Sequence, residues 1–196
     1  MALDFSPSEL ILIRHGATAV PDRLAGHTDV GLSDTQPDAL PSLVKTLAPI
    51  DQVIASPAQR CVQTAELIWG QGDWPQDARL WEQDFGAWEN IPHAELPDIG
   101  DLDQDALARH RPPQGESFLD VCARVEPALK DAAAQAAKGR PLAIVAHAGV
   151  IRAALAMALG NPAHCLLFEV APLSITRLRC LPDARFSIIA TNWHPA

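Results

Sequence analysis

The sequence predicts an α/β protein, a three-layer α/β/α sandwich around a mostly parallel central sheet. Short apolar runs without polar alternation, the pattern of strands buried on both faces, recur along the chain. Segments with helix-start and helix-stop residues lie between them, and this alternation favours parallel strands covered by helices on both sides. The length of 196 residues and the 48% hydrophobic content suit a single domain over residues 1–196.

Short apolar or β-branched runs bounded by turn residues are the predicted strands. The clearest is the third, which is apolar throughout and leads directly into a helical pattern. A Leu-Pro-Asp turn at 181–183 separates the last two. The predicted strands are 10–13, 53–55, 142–146, 174–179 and 187–191.

Helices are predicted from their capping residues. Ser56 followed by Pro57 indicates an N-cap and a first helical residue. Ser117 indicates another N-cap, with Asp120 as its capping-box partner. Gly160 indicates the end of an Ala-rich helix. The predicted helices are 57–69, 118–138, 148–159 and a weaker one at 38–47.

The section 86–114 interrupts this alternation. Prolines and glycines recur in its first half, and an acidic cluster follows. We expect an insertion packed over one edge of the sheet, because long irregular connections in small domains are commonly lids or binding loops. An ordinary solvated excursion explains the composition equally well. The acidic cluster consists of Asp98, Asp101, Asp103 and Asp105.

Charge and composition exclude several classes of function. Lys and Arg number 15 against 24 Asp and Glu, a net charge of −9, so nucleic acid and anionic membranes are disfavoured partners. No apolar run approaches the roughly 18 residues of a membrane span, and residues 1–9 lack a secretory pattern. We therefore expect a cytoplasmic protein; composition leaves its oligomeric state, a homodimer included, open. Scattered cysteines without ligand spacing predict reduced core thiols and no metal or cofactor. They are Cys61, Cys122, Cys165 and Cys180.

Two histidines follow two of the predicted strands. Arg14 and His15 end the first strand, and Gly16 lets the backbone approach a ligand closely. His147 ends the third strand and opens a helix, whose N-terminus favours negative charge. Either histidine alone is more commonly a structural residue. Two at strand ends, one beside an arginine, favour an anion site, because ligands bind beyond the carboxyl ends of such strands.

An arginine and two carboxylates extend this candidate site. Arg60 lies in the first turn of the helix after the second strand, where the helix dipole disfavours a cation unless an anion binds it. A solvated surface arginine is the alternative. Glu82 and Asp84 lie among tryptophan and phenylalanine, a setting that raises a carboxyl pKa and suits a general acid. A solvated face beside buried aromatics is the alternative there.

Taken together, these motifs resemble those of the histidine phosphatase superfamily, also called phosphoglycerate mutase-like. An RHG tripeptide alone is weak, whereas ordered motifs at compatible spacing from residue 10 to about 152 are specific. The matching segments are 12–16 (LIRHG), 56–66 (SPAQRCVQTAE), 80–89 (LWEQDFGAWE), 115–117 (GES) and 145–152 (VAHAGVIR).

The resemblance implies metal-independent hydrolysis of a phosphomonoester in two steps. His15 attacks phosphorus and becomes a phosphohistidine. Arg14, Arg60 and His147 hold the phosphoryl oxygens, whose charge must be stabilised in the transition state. The backbone around Ala148 adds an amide donor.

The resemblance also implies a proton donor, and the chain departs from the family at one position. Glu82 is the implied acid, which protonates the leaving alkoxide and then activates water, with Asp84 as the second candidate. Many members carry an asparagine where this chain has Pro21. We expect Thr18 or His27 to replace that phosphate contact.

The substrate is predicted from the surrounding segments. Residues 26–29 and 113–117 most resemble the α-ribazole-5′-phosphate phosphatases of cobalamin assembly. Section 86–114 offers only Arg109 and Arg111 as cations, so it favours a leaving group that is neutral or positive. The alternatives are a broad-specificity or phosphoprotein-directed phosphatase and a non-catalytic phosphate-binding regulator.

Overall fold

A five-stranded mixed sheet forms the centre of the molecule, a computed structural model that describes residues 5–195. Its strands are β1 Glu9–Arg14, β2 Gln52–Ala55, β3 Leu142–Ala146, β4 Ile175–Cys180 and β5 Phe186–Trp193. The order across the sheet is β2-β3-β1-β4-β5. The predicted parallel arrangement holds for the β2, β3 and β1 strands. The two C-terminal strands are antiparallel instead, and a short turn joins them, as only antiparallel neighbours allow.

Helices cover both faces of this sheet, which gives the predicted three layers. They are α1 Leu40–Leu47, α2 Gln59–Trp69, α3 Gln104–Arg109, α4 Phe118–Ala136, α5 Ala148–Leu159 and α6 Pro162–Cys165. Ile11 and Ile13 of β1 belong to one core cluster with residues of α1 and α2. Leu10 and Leu12 belong to a second cluster with residues of α4 and α5. Successive side chains of a strand point to opposite faces, so β1 supplies both cores.

The starts of two helices test the predicted caps. At α4 the Ser117 hydroxyl accepts the Asp120 amide, and the Asp120 carboxylate accepts the Ser117 amide at 2.7 Å, which confirms the capping box. The prediction that 56–57 begins α2 is wrong, because the helix begins at Gln59. The Gln59 amide donates to the Asp29 carboxylate at 2.8 Å, so a loop 30 residues away caps α2.

Section 86–114 contains short helical turns and no strand. Besides α3, which contacts α4 and α6, it holds single turns at Gly86–Trp88 and His93–Glu95. The Trp88 and His110 rings stack 5.4 Å apart and tie its two ends together. The four aspartates of the acidic cluster are all exposed.

Three further properties concern membrane-spanning helices, metal sites and free thiols. Within residues 5–195, no helix is both long and apolar enough to cross a bilayer. The same residues contain no group of three or more His, Cys, Asp or Glu side chains placed to hold a metal ion. All four cysteines are free thiols, buried or partly buried, as predicted.

Candidate active site

Two imidazole rings meet where neighbouring parallel strands end. His15 follows β1 and His147 follows β3, and their ring centroids lie 5.2 Å apart with the planes at 64°. The His15 amide donates to the carbonyl of Ala146 at 2.9 Å, which continues the ladder between the two strands. Both side chains are buried. The sheet itself therefore brings together two residues that are far apart in sequence.

The His15 ring is held in one orientation and one tautomer. Its Nδ1 lies 2.8 Å from the carbonyl oxygen of Gly16, which can only accept, so Nδ1 carries the hydrogen. Burial, with the nearby guanidiniums of Arg60 and Arg14, lowers the pKa of His15 to about 3. Nε2 therefore keeps its lone pair at neutral pH and can act as a nucleophile.

Both ring nitrogens of His147 have partners. Nδ1 accepts a hydrogen bond from Nε of Arg60 at 3.3 Å, so Nε2 carries the hydrogen and donates to the Ser56 hydroxyl at 2.8 Å. The Ser56 hydroxyl also accepts the Ala58 amide at 3.4 Å, ahead of the first residue of α2. The Sγ atom of Cys61 lies 3.5 Å from the same Nε2. Burial, followed by Arg60, lowers the pKa of His147 well below its usual value.

The Arg60 guanidinium is held by backbone carbonyls of residues 25–28, which we call the anchor loop. Nη2 donates to the carbonyls of Gly26 at 2.7 Å and Ala25 at 3.4 Å, and Nη1 donates to that of Thr28 at 3.1 Å. The side chain is only 1% accessible and lies in the first turn of α2, as predicted. A buried cation with neutral partners can attract an anion strongly.

Arg14 presents a second desolvated guanidinium. Its Nη1 donates to the carbonyl of Val170 at 2.6 Å. Its Nε is buried without a partner among the residues that the structure describes. Burial lowers the pKa of Arg14, while the Glu82 carboxylate acts to raise it. An unpaired buried donor next to a cation cluster fits an anion ligand.

Glu82 lies at the N-terminus of α5. Its carboxylate accepts the Gly149 amide at 3.1 and 3.2 Å, and a Cβ at position 149 would lie 2.2 Å from Oε1. Position 149 therefore requires glycine for Glu82 to reach the helix. Arg124 fixes the backbone beneath it, donating to the carbonyls of Trp81 at 2.9 Å and Glu82 at 3.1 Å. The Ala148 amide, at the first helical position, has no acceptor within the helix.

Three other predicted residues, His27, Asp84 and Thr18, lie outside the buried cluster. Trp81 stacks on His147 with ring centroids 6.4 Å apart, and His27 packs on Trp81 at 5.2 Å. His27 is exposed, and its Nδ1 lies 3.8 Å from the Asp84 carboxylate. Thr18 forms an isolated backbone bridge. Within residues 5–195, no hydrogen bond or ring contact joins its side chain to the two histidines.

Three polar side chains that the sequence reasoning missed hold the loops of the site. Thr64 accepts the Gly16 amide at 3.0 Å, and Gln36 accepts the Ala17 amide at 2.9 Å. A Cβ on Gly16 would lie 2.3 Å from Oε1 of Gln36, so this glycine accommodates Gln36. The third is Glu89, whose carboxylate accepts amides of the anchor loop. Thr64 and Glu89 lie in two of the segments that resemble the family, 56–66 and 80–89, but no local pattern assigns these contacts to them.

Comparisons with known proteins show which family and fold this chain is similar to. The family model for the histidine phosphatase superfamily (branch 1) matches residues 10–193. Glucosyl-3-phosphoglycerate phosphatase of Mycolicibacterium vanbaalenii is 30% identical over 168 residues, which covers 78% of this chain and 75% of that protein. The probable phosphoglycerate mutase GpmB of Proteus mirabilis is 33% identical over 168 residues, covering 80% and 77%. The chain spans half the length of three further mycobacterial relatives.

A solved structure gives the same picture of the fold. The mycobacterial glucosyl-3-phosphoglycerate phosphatase Rv2419c, solved in complex with VO3, superposes with a TM-score of 0.80 at 26% identity. The match covers 94% of this chain and 98% of that one.

Proposed function

The chain belongs to the histidine phosphatase superfamily, and from this premise we propose that it hydrolyses a small phosphomonoester through a phosphohistidine. One observation carries the proposal. The Nδ1 hydrogen of His15 is bound to a carbonyl, which leaves an unprotonated Nε2 near the buried guanidinium of Arg60 and the partly buried one of Arg14. This arrangement suits in-line attack on a phosphoryl group whose charge is already matched.

In the first step His15 Nε2 forms the N–P bond as the bond from phosphorus to the leaving oxygen breaks. Arg14 and Arg60 bind the non-bridging oxygens. Arg14, whose Nε has no partner among the described residues, suits a pair of parallel hydrogen bonds, while Arg60 contributes its charge and a remaining Nη1 hydrogen. His147, which contacts Arg60 through Nδ1, borders the same oxygens, and the Ala148 amide adds a donor. Hydrogen bonds hold the side chains of Arg14, Arg60 and His147 before substrate arrives, so little reorganisation accompanies the reaction.

Glu82 is the proton carrier in this proposal. In its acid form it protonates the leaving alkoxide, and as a carboxylate it then takes a proton from water. That water attacks phosphorus, breaks the N–P bond and releases inorganic phosphate with His15 restored. The Glu82 contact with the α5 N-terminus supports this choice. The second candidate, Asp84, binds the amide of Gly86 and faces exposed His27.

For the substrate we propose α-ribazole 5′-phosphate, within cobalamin assembly. Trp81, His27 and Asp84 next to the phosphate pocket suit a flat aromatic group that is neutral or positive. The Arg124 guanidinium nearby is committed to the Glu116 carboxylate at 2.6 and 2.8 Å, so a carboxylated leaving group gains no cation from it. Phosphorylated glycerates are the competing class, favoured by the names of two relatives.

Three finer assignments belong to the same proposal. Section 86–114 acts as a lid over the site, supported by its irregular structure and exposed acidic cluster. The acidic, thiol-containing composition supports a cytoplasmic location. The Leu159 and Leu167 side chains, 50% and 65% exposed, support a homodimer, which light scattering tests.

Turnover of p-nitrophenyl phosphate in the presence of EDTA tests the reaction. We expect hydrolysis by the natural chain and a loss of at least about 10³-fold in kcat/KM for His15→Asn. Equal turnover by both proteins, or none by either, would overturn the phosphatase assignment.

Ranking substrates by kcat/KM tests the leaving group. α-Ribazole 5′-phosphate, 3-phosphoglycerate and phosphoserine form the panel, with p-nitrophenyl phosphate as the broad-specificity reference. We expect α-ribazole 5′-phosphate to have the highest kcat/KM. A higher value for 3-phosphoglycerate would overturn the substrate assignment but not the proposed reaction.

A further inference from the structure

Glu89 binds one side of the anchor loop through almost every acceptor site of its carboxylate. Oε1 accepts the amides of His27 at 2.8 Å and Phe85 at 3.0 Å. Oε2 accepts the amides of Gly26 at 3.1 Å and Thr28 at 2.9 Å, and the Thr28 hydroxyl at 2.6 Å. A carboxylate offers about four lone-pair sites, so these bonds leave Glu89 no capacity for substrate.

Arg60 binds the same loop from its carbonyl side. The carbonyls of Ala25, Gly26 and Thr28 accept from its two Nη atoms. The amides of the loop therefore bind an anion, Glu89, and its carbonyls bind a cation, Arg60. Each charge polarises the peptide groups in the sense that strengthens the bond to the other, because hydrogen bonds in series are cooperative.

The loop packs closely against Glu89 and the segment around Gln83. A Cβ on Gly26 would lie 1.9 Å from the Gln83 carbonyl oxygen and 2.6 Å from Glu89 Oε1. Burial acts to raise the pKa of Glu89, but its hydrogen bonds outweigh burial and the pKa lies below the usual value. Glu89 is therefore an anion at neutral pH and keeps its hydrogen bonds to the loop.

We propose that Glu89 is a positioning residue, which fixes the anchor loop so that its carbonyls aim the Arg60 guanidinium at the phosphoryl group. It contacts neither the reacting atoms nor Arg60 directly, and every link runs through the loop. The inference rests on the proposed function for the role of Arg60, whereas the loop-held geometry of Arg60 stands independently of catalysis.

Glu89→Gln tests the proposal, because it removes the charge and turns an amide donor toward the loop amides. We expect kcat/KM for p-nitrophenyl phosphate to fall about 10- to 100-fold and the Kd for orthovanadate to rise by a similar factor. The effect should disappear without Arg60, so Arg60→Ala combined with Glu89→Gln should be no slower than Arg60→Ala alone. Multiplicative losses in the double variant would overturn the proposal.

Asp120→Asn is the matched control. The Asp120 carboxylate also accepts several bonds, from Ser117 and Arg111, but it caps α4 away from the anchor loop. We expect it to lower Tm as Glu89→Gln does, with kcat/KM unchanged within about twofold. Equal losses of activity in the two variants would assign Glu89 to general stability only.

NMR hydrogen exchange of the Arg60 Nη–H groups, which donate to the anchor loop, separates this inference from the proposed function. We expect a slowly exchanging signal in the natural chain and in Asp120→Asn, and fast exchange in Glu89→Gln, whether or not the protein turns over phosphate. An unchanged exchange rate in Glu89→Gln would overturn the inference. Glu89→Asp, which keeps the charge on a shorter side chain, should be intermediate and serves if the Gln variant does not fold.

Discussion

The phosphate pocket and section 86–114 are built in opposite ways. The pocket gathers buried and partly buried side chains from four separate stretches of sequence, and hydrogen bonds to distant residues hold Arg60, His147 and Glu82. Section 86–114 is one continuous stretch of short turns; Glu89 near its start binds the anchor loop, whereas its acidic cluster lies in solvent. A pocket with pre-paired charges keeps its geometry without substrate, whereas an exposed cluster can rearrange at low cost. We infer that the first determines the reaction and the second its leaving groups.

The largest effect should come from removing a pocket charge. Arg60→Ala deletes a guanidinium from a desolvated site and frees the anchor loop, so kcat/KM for p-nitrophenyl phosphate should fall about 10³-fold. Arg140→Ala, on an exposed arginine paired only with Asp51, is the control and should change kcat/KM by less than about twofold. A loss below threefold in Arg60→Ala would mean that the pocket does not bind the phosphoryl group.

Removing the proton donor should give a smaller loss that depends on the leaving group. Glu82→Gln cannot protonate an alkoxide, so kcat for phenyl phosphate should fall about 10²-fold or more. The loss should be smaller for p-nitrophenyl phosphate, whose phenolate leaves without a proton. The same measurement on Asp84→Asn decides between the two carboxylates, and a steeper leaving-group dependence there would reverse the assignment.

Adding a single methyl group in the pocket should lower kcat about tenfold. Gly149→Ala places a Cβ where Oε1 of Glu82 lies, so the carboxylate must move away from the α5 N-terminus. We expect kcat to fall with little change in KM, because the displaced group serves proton transfer. Gly72→Ala, at an exposed position, controls for the general effect of replacing glycine and should retain full kcat.

The smallest effect on the reaction should come from the acidic cluster of section 86–114. Changing the four aspartates of the acidic cluster to asparagine removes charge and preserves the cap that Asp103 gives α3. We expect kcat/KM for p-nitrophenyl phosphate to stay within about threefold, while KM for 3-phosphoglycerate falls because repulsion is relieved. A loss of turnover as large as that of Arg60→Ala would remove the contrast between the two regions.

Where the structural signal is local, the sequence predicted it well. The β3 strand, the start of α5 and the capping box of α4 all have the predicted bounds, because each depends on neighbouring residues. The pairing of His15 with His147 also followed from local signals, since both histidines end strands of one parallel sheet.

Contacts between distant residues account for what the sequence did not reveal. Thr64 binds Gly16 across 48 positions and Glu89 binds Thr28 across 61, and neither spacing is encoded in a periodic pattern. Ser56 had the local signature of a helix cap, but α2 begins at Gln59, whose amide donates to the Asp29 carboxylate 30 positions away. A tertiary hydrogen bond supplies the cap that the local signature assigned to Ser56.

Rapid-quench labelling with p-nitrophenyl [³²P]phosphate tests the central claim most directly. We predict a transient phosphoryl adduct on the natural chain that is labile in acid, stable in alkali and recovered on the peptide containing His15. His15→Asn should form none. An acid-stable adduct, an adduct on the His147 peptide, or steady turnover with no adduct at any time would contradict the account.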